Sequence, residues 1–213
     1  SRKHDNLFKN YRPAPHRCDH QHHDDQLANH VRIQEQTKGR QVVGHRTSQR
    51  YAIDGAQKSG SADRVTLFLC GDVMTGRGVD QILPHPSGHQ IFEPYVQDAR
   101  EYVQLAESLN GPIPKPVAGP YIWGDALAEF ERVAPDARII NLETSVTGSD
   151  DYWKGKGINY RMHPENIACV TAARIDVCGL ANNHVLDYGY RGLADTLDVL
   201  TRAGLRTVGA GRS

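Results

Sequence analysis

Three short apolar runs of this sequence each lead directly into polar residues of types that bind metal ions. These residues are Asp72 after the first run, Asn141 and Glu143 after the second, and Asn183 and His184 after the third, with Asp187 three residues farther on. Short apolar runs that end in polar loops are typical of buried parallel strands. Because ligands bind outside the carboxyl ends of the strands in an open α/β sheet, we expect these side chains to gather at one edge.

Carboxylate, carboxamide and imidazole groups together suit a divalent ion such as Mn, Fe or Zn. We therefore predict that Asp72, Glu143, Asn183 and His184 are metal ligands. Asn141 and Asp187 are predicted as further ligands or as groups that orient His184. Two such ions, about 3.5–4 Å apart, can clamp a phosphoryl group and activate water. Each residue alone has a structural alternative, since Asp after a strand often caps a helix and Asn-Asn is common in turns.

The order of predicted elements indicates how these residues are positioned. We predict strands at 64–70, 137–142, 176–181 and 205–208, and helices at 93–109, 123–133, 165–173 and 190–203. Strands that alternate with helices predict βαβ units, and therefore an α/β fold with a parallel sheet. The glycine-rich loop 71–78 lacks the spacing and the lysine of a phosphate-binding loop, which argues against a nucleotide site.

Residues 1–63 differ from the rest, because they show almost no apolar periodicity and hold seven of the eleven histidines. We predict a disordered, basic leader there, and a folded domain at 64–213. Residues 1–60 carry 11 Lys and Arg against 6 Asp and Glu, a net charge of +5 that the remainder balances. No aromatic residues interleave with these charges as in a nucleic-acid surface, so we do not expect nucleic acid as a partner. For the tract 20–25 we favour adventitious metal binding over a catalytic site.

The cysteines and the hydropathy pattern bear on the compartment. The four cysteines form no C-x-x-C pair, and three of them fall in predicted strands or helices, where a thiol usually packs as a small apolar group. This pattern suits a reducing compartment. No run approaches 18 apolar residues and no export signal is recognisable, so the sequence predicts a cytoplasmic protein without a membrane segment.

Four ordered motifs resemble those of the CapA/PgsA family, the capsule synthesis or poly-γ-glutamate biosynthesis proteins. They are Gly71-Asp-Val-Met74, Asn141-Leu-Glu-Thr144, Asn159-Tyr-Arg-Met-His-Pro164 and Ala181-Asn-Asn-His-Val-Leu-Asp-Tyr-Gly189. The closing Gly209-Ala-Gly-Arg212 is also similar. The resemblance covers about 64–213 and identifies this part of the chain as a member of the family.

The resemblance implies a calcineurin-like metallophosphatase fold. In it, Asp72, Glu143, Asn183 and His184 match metal-site positions, and His184 is also the catalytic residue that contacts a leaving oxygen. Arg161 and His163 fall in the family's N-[FY]-R motif and are expected to bind substrate in the same cleft. A chain-end carboxylate or a phosphate is the natural partner of Arg161.

Two functions follow from the resemblance, and the sequence leaves both open. One is metal-dependent hydrolysis or transfer at a phosphate or γ-glutamyl bond, with one ion here and two in the complete family domain. The other is a non-catalytic accessory subunit that binds an anionic polymer or its synthase subunits. Family members continue past the last residue of this chain, so we expect a truncated domain whose sheet is incomplete at its C-terminus.

Overall fold

The structure is a computed structural model, and it describes residues 64–212. The predictions made for residues 1–63, including the His-rich tract and Cys18, lie outside the described residues. Along the described part the elements are β1 (Leu67–Val73), α1 (Arg77–Ile82), α2 (Arg100–Asn110), a 3-10 helix (Gly119–Trp123), α3 (Ala126–Val133), β2 (Ala137–Leu142), β3 (Ser145–Val146), β4 (Arg161–Met162), a second 3-10 helix (Pro164–Ile167), α4 (Ala168–Thr171), β5 (Val177–Gly179), α5 (Gly189–Arg202) and β6 (Arg206–Val208).

The central feature is a parallel sheet of four strands in the order β1-β2-β5-β6. Its four strands fall at the four predicted positions, so the mixed α/β class and the parallel sheet are confirmed. A second, two-stranded parallel sheet pairs β3 with β4 and was not predicted. Two-residue strands carry too little periodicity to be recognised in a polar stretch.

The two faces of the main sheet differ in burial. Ile140 and Leu142 of β2 and Cys178 of β5 point to the covered face, and each is at most 1% exposed. They form one core with Leu197 and Leu200, which lie one turn apart on α5. The opposite face carries Leu67 and Leu69 of β1, which are 51% and 67% exposed. Burial on one face only explains why β1 alternates in exposure although its sequence is almost continuously apolar.

Two predicted helices begin later than expected. The helix predicted at 93–109 begins at Arg100, because Glu93 is drawn into a buried ion pair with Arg77 and residues 89–99 form an antiparallel turn through the Gln90–Asp98 bridge. The helix predicted at 123–133 begins at Ala126, because Gly124 takes a positive φ of 50° and separates it from the preceding 3-10 turn.

The loop predicted at 71–78 is shorter than expected. Strand β1 continues to Val73 through a bulge at Gly71, and the unpredicted helix α1 begins at Arg77. A bulge inserts one unpaired residue, which interrupts the alternation of inward and outward side chains along a strand. The sequence pattern therefore predicted that the strand ends at Cys70, although it continues to Val73. The helix predicted at 165–173 is likewise divided into a 3-10 turn and the single turn of α4.

The cysteines of the described residues are all free, as expected. Burial raises the pKa of both Cys169 and Cys178 to about 12, so these thiols pack as small apolar groups and are not reactive. Within residues 64–212 no helix has the length and apolar character that crossing a membrane requires.

The difference between the two sheet faces gives a first prediction. Leu142→Ala removes a side chain that is 1% exposed and should lower the free energy of unfolding by about 2–5 kcal/mol. Leu69→Ala makes the same chemical change on the neighbouring strand, where the side chain is 67% exposed, and should change it by less than about 0.5 kcal/mol. Urea denaturation of both variants measures the contrast, and equal losses would contradict this assignment of the two faces.

Candidate functional site

The bulge in β1 brings Asp72 into register with Asn141 at the carboxyl ends of two strands. In a regular ladder without the bulge, Asp72 would pair with Leu142, one residue farther along β2, and its side chain would change faces. In the bulged register Asn141 Nδ2 donates a hydrogen bond of 2.6 Å to Asp72 Oδ1. Two predicted site residues are therefore joined directly.

Asn182 connects this pair to the third strand end. Its Nδ2 donates to Asn141 Oδ1 and to the Leu142 carbonyl, both at 3.0 Å, and its Oδ1 accepts from the main-chain N–H of His184 at 3.0 Å. The role of Asn183 as a metal ligand stays a prediction. Asn183 is exposed, and its main-chain carbonyl makes the contact with the site, accepting from Lys156 at 2.6 Å.

His184 is fixed by Asp187, as predicted for a group that orients it. His184 Nδ1 lies 2.6 Å from Asp187 Oδ2, and the two side chains are 6% and 0% exposed. Nδ1 is occupied by this carboxylate, so Nε2 is the ring nitrogen left for another partner. Nε2 lies 3.7 Å from Glu143 Oε1, so the second and third strand ends also meet.

Lys156 is a site residue that the sequence analysis missed. Its ammonium forms an ion pair with Asp187 Oδ1 and lies 3.3 Å from His184 Nδ1. Lys156 lies between Gly155 and Gly157, which have φ of 82° and 86°, so the chain turns tightly on both sides of it. In the sequence, the two glycines indicate a tight turn around Lys156, but they do not indicate the direction of its side chain.

Tyr160 closes one side of the His184 ring. The two rings stack with centroids 3.9 Å apart, and the Tyr160 main-chain N–H donates to Asp187 Oδ2 at 2.6 Å. Burial raises the pKa of Tyr160 to about 12, so its hydroxyl stays protonated at neutral pH. The aromatic wall keeps water from one face of the imidazole.

The acidic pair at the edge of the site has an unusual protonation equilibrium. Burial, the charge of Asp72 and a hydrogen bond with Asp72 raise the pKa of Glu143 to about 7, although Lys156 opposes the shift. Two carboxyl groups that share a proton form a site whose charge a cation can neutralise.

The residues present fit one divalent ion by their chemistry. Asp72 and Glu143 supply adjacent carboxyl groups, and Nε2 of His184 faces Glu143. Within residues 64–212, however, no three His, Cys, Asp or Glu side chains converge closely enough to form a ready-made metal cage. A bound ion would therefore require these side chains to move together.

The two predicted substrate residues lie away from His184. Arg161 lies in a separate pocket, where its Nη1 donates to the Ser149 carbonyl and to Asp150 Oδ1, both at 2.7 Å. His163 caps the second 3-10 helix: its Nδ1 accepts from the Glu165 N–H at 3.3 Å. Its main-chain N–H donates to Asp80 Oδ1 at 2.9 Å.

Comparison with known proteins places this site in a family context. The sequence profile of the family described as bacterial capsule synthesis protein PGA_cap matches residues 66–213. Two strains of Mycobacterium tuberculosis hold a probable polyglutamine synthesis accessory protein that is 54% identical over 153 residues. That alignment covers 72% of this chain and 40% of the relative.

More distant relatives come from two Bacillus species. The PGA biosynthesis protein CapA of Bacillus subtilis is 28% identical over 157 residues, which cover 73% of this chain and 33% of the relative. The capsule biosynthesis protein CapA of Bacillus anthracis is 26% identical over 152 residues, covering 71% of this chain and 29% of the relative. The chain thus spans less than half the length of these relatives. Because the family profile matches more than half of the chain, this protein belongs to the bacterial capsule synthesis protein family PGA_cap.

Proposed function

We propose that this chain carries a divalent-cation site of a capsule or poly-glutamate synthesis protein, in a metallophosphatase-like domain. The observation on which the proposal rests is the hydrogen-bonded series at the sheet edge, which runs from Asp72 through Asn141 and Asn182 to His184. Such a series holds residues from three strand ends in fixed positions relative to one another, which a site needs and a set of unrelated surface groups does not.

Asp72, Glu143 and His184 Nε2 would hold the ion, and the exposed Asn183 is a candidate fourth ligand. A divalent ion here would polarise a phosphoryl or carbonyl oxygen and lower the pKa of a bound water. Asp187 keeps the His184 ring oriented, and Tyr160 limits the access of water to it. His184 Nε2 is then available as a ligand or to hand a proton to a leaving oxygen.

The substrate class in this proposal comes from the relatives and from Arg161. The relatives carry the names probable polyglutamine synthesis accessory protein, PGA biosynthesis protein CapA and capsule biosynthesis protein CapA. We therefore propose an anionic polymer, or a small phosphate or γ-glutamyl compound, as substrate, with synthase subunits as partners. Arg161 would contact an acidic group of that substrate.

A second function is favoured by Lys156. Its ammonium is already paired with Asp187, and its charge opposes the rise in the pKa of Glu143. The protein thus supplies a cation of its own that partly neutralises the site. A non-catalytic accessory subunit that binds an anionic polymer or its synthase would need no metal. The description of the Mycobacterium tuberculosis relatives as accessory proteins agrees with this alternative.

Metal content distinguishes the two functions. We expect the full chain to lose about one bound ion on His184→Ala and on Asp72→Ala, because each variant removes one donor of a site with few donors. His163→Ala is the matched control, since this histidine caps a 3-10 turn away from the proposed site and its loss should leave the metal content unchanged. Elemental analysis of the purified variants measures the difference.

Any metal held by residues 1–63 is common to all variants and cancels in the comparison. Metal content that is the same in wild type, His184→Ala and Asp72→Ala would rule out the cation site and leave the accessory function. If the ion is present, the manganese-loaded chain should hydrolyse a phosphodiester test substrate, and His184→Ala should abolish this activity.

The raised pKa of Glu143 predicts how stability depends on pH without metal. A carboxyl group whose pKa rises from 4.5 to about 7 on folding binds more protons in the folded state, so its contribution to stability falls as pH rises from about 4.5 to 7. Glu143→Gln carries no charge at any pH and should be more stable than wild type at pH 8 by on the order of 1–3 kcal/mol.

The measurement is the free energy of unfolding of resin-treated, metal-free protein between pH 4.5 and 8. Asp72→Asn should give part of the same gain at pH 8, because it removes the neighbouring charge that helps to raise the pKa of Glu143. A difference between Glu143→Gln and wild type that does not change with pH would show that Glu143 ionises normally.

A further inference from the structure

We propose that Arg77, Ser87 and Arg161 form a binding pocket for a phosphate group, separate from the cation site. The pocket lies beside α1 and is partly open to solvent; its enclosed part has room for about one water molecule, so a phosphate group would occupy its open mouth. Its polar lining consists chiefly of Arg77, Asp80, Ser87, Gly88, Asn159 and Arg161. The inference shares Arg161 with the function proposed above, but no step of it uses a metal ion, so phosphate binding and metal binding are tested separately.

One N–H group of the Arg77 guanidinium lacks a hydrogen-bond partner among residues 64–212. Its side chain is 10% exposed, and its Nε pairs with Glu93 Oε1 at 2.5 Å. The group lies over the rings of Tyr102 and Tyr160, with its Cζ 5.0 Å and 4.7 Å from their centroids. Its Nη2 is buried and has no hydrogen-bond partner among residues 64–212. An unpaired buried donor destabilises the folded state, more so when it is charged, and an oxyanion would satisfy it.

The backbone of Arg77 is held in a conformation that residues other than glycine rarely adopt. Its φ is 49°, in the left-handed region that is unfavourable for a residue with a Cβ. Glycine would adopt the same turn without that cost. An arginine at this position therefore gains something from its side chain, and the ion pair with Glu93 uses only one side of the guanidinium.

Ser87 supplies a second unused donor. Its Oγ is buried without a partner in the described part of the chain, while its main-chain N–H donates to Asp80 Oδ2 at 2.6 Å and its carbonyl accepts from Gln81 Nε2 at 3.0 Å. The backbone of this residue is thus held in position and its hydroxyl remains available. A positioned hydroxyl beside a guanidinium is a usual combination for binding phosphate oxygens.

Arg161 brings the second positive charge. Its side chain is 11% exposed, its Nη1 is held by the Ser149 carbonyl and Asp150, and its Cζ lies 5.0 Å from the centroid of the Tyr188 ring. Its Nη2 lies at the pocket wall, 3.7 Å from the position that a Cβ on Gly88 would occupy. A larger side chain at position 88 would narrow the space next to this nitrogen.

One carboxylate lines the pocket, and hydrogen bonds hold it in place. Asp80 is 1% exposed, and its two oxygens accept hydrogen bonds from three N–H donors: the main-chain N–H groups of Ser87 and His163 and the side-chain amide of Asn166. Such donors stabilise a carboxylate charge and occupy three of its roughly four lone-pair sites. The two arginines of the lining outnumber this carboxylate, and the acidic partners that they already have, Glu93 and Asp150, lie outside the lining.

Asn159 favours phosphate over a carboxylate. Its Oδ1 is buried and lacks a hydrogen-bond partner within residues 64–212, and its Nδ2 donates to the main-chain carbonyls of Trp153 and Asp187. An acceptor oxygen in an anion pocket needs an O–H or N–H from the ligand. Hydrogen phosphate carries an O–H beside its charged oxygens, whereas an ionised carboxylate such as acetate carries none.

The test is calorimetric titration of the full chain with inorganic phosphate, after metal removal on a chelating resin and with chloride holding the ionic strength constant. Soluble chelators are avoided because they are themselves polycarboxylates. We expect one saturable phosphate site per chain that Ser87→Ala weakens about 3–10-fold by removing one donor. Arg77→Lys keeps the charge beside Glu93 but loses Nη2, and should weaken binding about 10-fold or more.

Arg100→Lys is the matched control, because Arg100 is an exposed arginine paired with Asp98 and should leave phosphate affinity unchanged. A parallel titration with acetate should show weaker binding, and acetate binding tighter than phosphate would overturn the choice of ligand. The pocket itself is refuted if phosphate does not saturate in wild type, or if Ser87→Ala and Arg77→Lys both bind it as wild type does. Ser87→Ala should unfold like wild type, which separates lost binding from lost folding.

Discussion

The buried carboxylate of Asp187 is the interaction on which the site depends. It is 0% exposed, and its oxygens are shared by His184, Lys156 and the main-chain N–H of Tyr160. An ionised carboxylate removed from water is tolerated only when its lone pairs are satisfied, so these three contacts stabilise one another. They also join separate parts of the chain, because Tyr160 directly precedes β4 while His184 follows β5. The Asp187 carboxylate therefore holds both the start of the second sheet and the imidazole of His184 in position.

Tyr160 connects the two candidate sites. One contact of its ring is the stacked imidazole of His184, and another is the guanidinium of Arg77, 4.7 Å from its centroid. A single aromatic residue thus adjoins the acidic edge of the sheet and the arginine pocket. Ring and cation are both largely buried, which strengthens such contacts relative to exposed ones. Because both contacts involve the Tyr160 ring, a ligand that moved Arg77 would also change the surroundings of the His184 ring.

The sequence predicted the parts of the fold that have a regular pattern. The strands of the main sheet and helix α5 were found because their apolar residues recur over several turns or fill a short run. The edge residues Asp72, Asn141, Glu143 and His184 were chosen for the same reason, since a strand end marks the residue that follows it, and their roles stay predictions. The bulge at Gly71 was not predicted, because it depends on a register shift of one residue. The contacts of Asn182 were not predicted either, because they join it to residues distant in sequence. Lys156 was missed because its role is set by contacts distant in sequence.

The most informative residues of this structure are those that no local rule requires. Arg77 occupies a backbone conformation suited to glycine, Glu143 holds a proton to about pH 7, and the Ser87 hydroxyl is buried without a partner among residues 64–212. Each of these arrangements opposes folding rather than assisting it. Natural sequences are otherwise locally consistent, and violations concentrate where a protein binds or reacts. Two of these features are linked through a short series of contacts: Arg77 lies over the Tyr160 ring, Tyr160 stacks on His184, and His184 Nε2 lies 3.7 Å from Glu143 Oε1.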